Sequence, residues 1–115
     1  MSIEYDIKSN FKDFKASGDD ELSKGRYNPA VVSYFKAIAV LCDLKIYMAR
    51  GLLPKYHKER FLFLNVHFPE IAQILSGLFK KYTDSYNLRM SKTDAMEMQE
   101  NVKKTEALFE TGKSL

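Results

Sequence analysis

Residues 30 to 50 read AVVSYFKAIAVLCDLKIYMAR, and this run decides the fold. Over roughly six turns of helix it carries four charges. Three of them, Lys36, Asp43 and Arg50, recur every seven residues, close to two full turns, and so make one thin polar stripe. Lys45 sits roughly 180° around the axis from Lys36 and must snorkel or find a partner. A helix apolar on almost every side belongs in a core. The expectation is a central helix with more apolar circumference than four short neighbours cover. On that reading Tyr34, Ile38, Leu41 and Tyr47 also line a self-association surface, and the protein is a homodimer.

The flanks supply the punctuation of a bundle. Upstream, Asn28-Pro29 reads as an N-cap followed by proline at the first helical position, where the missing N–H leaves nothing unbonded. Before it, Ile3, Ile7, Phe11 and Phe14 fall on one face of a first helix that runs to Lys24, with Gly25 suited to the left-handed position after it. Downstream, Gly51 ends the central helix and Leu52-Leu53-Pro54 leads into a short helix from Lys55 to Val66. The segment FLFLNVHF fits a buried strand equally well by pattern, but no second strand-like run exists for it to pair with. Pro69 opens the next helix, along which Ile71, Leu75, Leu78, Tyr82 and Tyr86 keep helical spacing. Ser91 or Thr93 caps a last helix, Asp94 completes a Ser-x-x-Asp box, and Met98, Val102 and Phe109 form its narrow apolar stripe. The expected architecture is an all-α, antiparallel up-and-down bundle of four to five helices.

Composition sets the remaining bounds. The chain has 115 residues, 45% hydrophobic and 29% charged, which fits one domain around one core. A single cysteine, Cys42, excludes a disulfide scaffold and a multi-thiolate zinc site; it reads as a buried thiol inside the apolar run. The opening MSIEYDIKSN has two acids and no apolar run, so no signal peptide is expected, and the location expected is cytoplasmic. No apolar stretch is long enough for a membrane span. Residues 25–68 hold seven Lys/Arg against two Asp/Glu, whereas residues 1–24 hold four against six and residues 69–115 seven against seven. The positive excess therefore belongs to the middle of the chain. Lys36, Arg50, Lys55, Lys58 and Arg60 are the candidates for phosphate or partner contact.

The stretch SKGRYNPAVVSYFKAIAVLCDLKIYMARGLLPKYH resembles the HEPN domain. The likeness rests on Gly25-Arg26-Tyr27 at the turn, Tyr34-Phe35-Lys36-Ala37 in the core helix, Gly51-Leu52-Leu53 at its exit and Pro54-Lys55-Tyr56-His57 at the entry to the next helix. Tyr86-Asn87-Leu88-Arg89 is similar to the family's later Leu-Arg segment. The resemblance implies a dimerising helical domain, often encoded beside a minimal nucleotidyltransferase in a toxin–antitoxin pair. Some members are metal-independent ribonucleases with an Arg-x4–6-His motif. Arg89 is followed at the matching offsets by Asp94, Ala95 and Met96, with no histidine.

Two Arg-x6-His matches exist elsewhere. Arg60 and His67, on one continuous helix, would differ by about 20° in direction, so His67 would serve as general acid or base and Arg60 would stabilise phosphorane charge across a dimer cleft. Arg50 and His57 are separated by Gly51 and Pro54, and no helical geometry places them. Asp19, Asp20 and Glu21 read as a soluble acidic face. No Gly-rich phosphate loop, Ser-His-Asp set or paired catalytic carboxylates occur, and neither a metal nor a cofactor is expected. The expected role is binding to RNA, a nucleotide or a nucleotidyltransferase-like partner; the rivals are the Arg60/His67 ribonuclease and a purely structural interaction protein.

Overall fold

A computed structural model describes residues 2–111 of the chain. Five helices follow one another: α1 Ile3–Ser23, α2 Tyr27–Arg50, α3 His57–His67, α4 Pro69–Asp84 and α5 Lys92–Thr111. No strand occurs among the described residues, and the protein is an all-α bundle.

α2 is its axis and touches each of the other four helices. The row Ala30, Tyr34, Ile38, Cys42 and Ile46, stepping by four, is sealed from solvent along its whole length. Each large apolar side chain sealed in this way contributes about 1.5–3 kcal/mol. This corrects the expected self-association surface. Tyr34 and Ile38 are fully buried within the chain's own core, Leu41 nearly so, and Tyr47 is half-buried. The apolar excess of the central run is covered by the neighbouring helices, which leaves Met48 as the exposed large apolar side chain of α2 among the described residues. Lys45 does snorkel, its ammonium 5.4 Å from the centroid of the Phe109 ring on α5.

The α1 contact is close because Gly18 lies under Tyr34. A Cβ on Gly18 would fall 2.5 Å from Cε1 of that ring, so this buried mid-helix glycine makes room for the tyrosine. The Tyr34 hydroxyl donates to Asp19 Oδ1 at 2.5 Å, and Gln99 Nε2 from α5 donates to the same carboxylate at 2.9 Å and to the hydroxyl oxygen at 3.1 Å. Three helices are thereby joined at one point. The neighbouring acids turn elsewhere, Asp20 to Lys24 at 2.9 Å and Glu21 to Arg26 at 3.4 Å.

Several boundaries fall where expected. Gly25 and Gly51 take left-handed backbone, with φ +74° and +76°, after α1 and α2. Pro69 opens α4, and Ser91 and Asp94 cap α5 reciprocally: Asp94 N–H donates to Ser91 Oγ at 3.1 Å and Ser91 N–H to Asp94 Oδ2 at 2.8 Å. Asn28 departs from expectation. α2 starts at Tyr27, so Asn28 already lies in its first turn and is not the cap. Its amide Nδ2 donates to the carbonyls of Ser85 (2.7 Å) and Leu88 (2.8 Å), and its Oδ1 accepts from Met90 N–H (2.9 Å). Asn28 fastens the α4–α5 connection instead.

Candidate functional site

Past Gly51 the chain runs through Leu52, Leu53, Pro54, Lys55 and Tyr56 into α3, the shortest helix. Eleven residues are too few to stand as a helix without tertiary contacts, and two inward contacts hold α3. Arg60 donates from Nε to Asp43 Oδ1 at 2.6 Å and from Nη2 to Oδ2 at 3.0 Å, a two-pronged bridge to α2 with both side chains largely buried. His57 stacks on Phe79 of α4, centroids 3.9 Å apart and planes 10° from parallel. Burial first, and then the Arg60 charge, lowers the His57 pKa. Its buried Nδ1 has no hydrogen-bond partner.

The outward face of α3 differs. Leu62 and Val66, one turn apart, are 56% and 73% exposed, and Leu52, Leu53 and Tyr56 add further exposed apolar surface from the connection. Beside Leu62 and Val66 a groove of about 560 Å³ opens between Ala49 and Arg50 of α2 and Phe63 and His67 of α3. Phe63 is its shelf: the Arg50 guanidinium lies 5.7 Å from the ring centroid, and the His67 ring lies 4.4 Å away. Glu59 also lines the groove and sets a negative charge against the surrounding positive ones.

The basic candidates separate into three groups. Arg50, Lys55 and Lys58 are exposed around this corner. Lys36 is exposed as well, but it lies fourteen residues before Arg50, about 21 Å along the helix, with its ammonium 5.9 Å from the Phe14 centroid. Arg60 faces inward and is neutralised by Asp43. That bridge also explains why Asp43 is covered instead of continuing a solvent-facing stripe with Lys36 and Arg50. In the proposed ribonuclease pair, Arg60 is thus a clamp, and the cation that shares an aromatic with His67 is Arg50. His57 points into the core. Cys42 is wholly buried and its thiol is pushed up to about 12, chiefly by burial, then by the Asp43 charge, so it is no nucleophile near neutral pH.

Spacing did not single out Phe63, Leu62 or Val66, because the run FLFLNVH is apolar on both sides of its helix and periodicity does not say which side a neighbour covers. No family model, curated protein or solved structure matches the chain. Among the described residues no helix is long and apolar enough to cross a membrane.

Proposed function

We propose that the chain is a binding module whose working face is the α2–α3 corner, and that it takes a partner protein presenting apolar side chains flanked by carboxylates. The observation that carries this is the outward exposure of Leu62 and Val66 beside Arg50, Lys55 and Lys58. Aliphatic side chains in such a setting favour a partner's apolar residues, and the surrounding cations favour acids at its rim. Glu59 in the groove disfavours a phosphate backbone. A second copy meeting this face about a two-fold axis would bring like charges together, so a different chain fits better than a homodimer here.

The HEPN-like reading gains support from the core positions of Tyr34, Phe35 and Ala37 and from the left-handed Gly25 and Gly51. On that reading the partner is a nucleotidyltransferase-like protein. RNA or nucleotide binding is the second reading, favoured by the Arg50–Phe63–His67 shelf, which offers an aromatic ring, a guanidinium and an imidazole to a base and its phosphate.

Co-expression with the product of the neighbouring reading frame, followed by titration calorimetry, tests the proposal. A complex that Leu62→Glu and Val66→Glu each weaken at least tenfold, and Lys36→Glu leaves intact, is expected. A complex indifferent to both α3 substitutions overturns it, and labelled RNA bound in a strongly salt-dependent way by the same face selects the second reading.

A further inference from the structure

On the side of α2 facing α1 and α5 lies a second groove, of about 610 Å³. Its walls are two helical stripes of the same spacing: Lys8, Phe11, Lys12 and Lys15 on α1, and Leu41, Leu44, Lys45 and Met48 on α2. Each stripe covers eight residues, seven steps and about 10 Å of rise. Phe109 of α5 closes the floor with Phe11, Leu41 and Leu44, and these four are only 5–9% exposed, so the groove reaches the apolar core. The rim is cationic, four lysines against Glu106 and Glu110.

We propose that this groove binds a single-chain anionic amphiphile, an alkyl carboxylate of the fatty-acid class, with its chain on the Phe11, Leu41, Leu44 and Phe109 floor and its carboxylate between Lys12 and Lys45. The choice of headgroup follows from the ion pairs. Lys8 is paired with Glu4 at 3.1 Å and Lys15 with Glu106 at 3.2 Å. Lys12 and Lys45, one from each wall, have no carboxylate within ion-pair distance among the described residues, and Lys45 rests on Phe109. An acid with an apolar tail satisfies both cations and fills the groove against its floor and Met48, whereas a free inorganic anion leaves the groove to water and a neutral alkane leaves the lysines unpaired.

Titration of the full chain with octanoate, decanoate and dodecanoate, each below its micelle concentration, tests this. Saturable 1:1 binding is expected, weakening about fourfold for each methylene removed. Lys12→Glu should weaken decanoate at least fivefold and leave decanol unchanged, Met48→Asp should weaken both, and Glu110→Gln should strengthen decanoate. Lys12, Met48 and Glu110 are exposed, so the fold tolerates these changes. Absence of saturation, affinity independent of chain length, or affinity unmoved by Lys12→Glu and Met48→Asp overturns the proposal. Binding to anionic vesicles without binding to the monomeric carboxylates overturns it too, and marks the lysines as a membrane-surface patch.

Discussion

Arg60 and Asp43 face each other from α3 and α2 with two parallel hydrogen bonds, 2.6 and 3.0 Å, between guanidinium and carboxylate. Seventeen residues of sequence separate them, and the bridge orients the helix that carries the outward Leu62 and Val66. Removing one partner leaves the other charge largely buried without compensation. Arg60→Ala or Asp43→Ala is expected to destabilise the fold by about 2–4 kcal/mol, whereas the double substitution should lose much less than the sum. Urea unfolding of the four chains measures the coupling. Additive losses would show that the pair contributes little as a pair.

Gly18 and Gly77 make a matched test of close packing. Both lie inside helices, where alanine is ordinarily better than glycine by about 0.5–1 kcal/mol. Nothing stands within 4 Å of a Cβ on Gly77, so Gly77→Ala should stabilise by that amount. At Gly18 the Tyr34 ring occupies the space and overpacking outweighs propensity, so Gly18→Ala is expected to destabilise by about 1–3 kcal/mol. Thermal unfolding of both variants decides the two signs.

This pair also shows what was legible in the sequence. Helix ends were, because their causes are local: Gly25 and Gly51 at left-handed positions, Pro69 at a first turn, Ser91 and Asp94 in a reciprocal box. The centrality of the 30–50 run was legible too, from its lack of a polar side. Its covering was not. Tyr34 and Ile38 looked surplus to a four-neighbour bundle because the depth of the α1 approach depends on Gly18, sixteen residues before Tyr34, and no periodicity links the two. Asn28 followed a local capping pattern, yet its amide is engaged by residues 57 to 62 positions away. At the candidate site the basic segment was legible, but which of its cations are free depended on the long-range Asp43–Arg60 bridge.

His57 gives the fold a pH dependence of known sign. Its pKa in the folded chain lies below the unfolded value near 6.5, because burial and the Arg60 charge disfavour the imidazolium. The unfolded chain therefore takes up a proton first as pH falls. Stability contributed by neutral His57 is full above about pH 6.5 and declines as pH drops from there through the lowered folded value. His57→Phe keeps a flat ring against Phe79 and should flatten that slope. Unfolding free energies measured from pH 7.5 to 5 check it, and an unchanged slope in the variant would assign the dependence to other groups. Asp94, held below its ordinary value first by the backbone N–H of Ser91, acts lower: its contribution is present above the usual carboxylate range and lost as pH falls through the folded value.

Asn28→Ala is expected to loosen the α4–α5 connection while leaving α2 helical, since three hydrogen bonds to residues 85, 88 and 90 disappear and no cap is lost. A loss of about 1–3 kcal/mol with faster amide exchange at Met90 would fit. Fraying of the α2 start with the connection still protected would restore the capping role.

The central claim is that partners dock on the α2–α3 corner, and hydrogen–deuterium exchange of the chain alone and in its isolated complex tests it most directly. New protection concentrated in residues 49–67, with residues 1–24 and 92–111 unchanged, is the expected footprint. Protection confined to α1 and α5, with the corner exchanging as in the free chain, would contradict it.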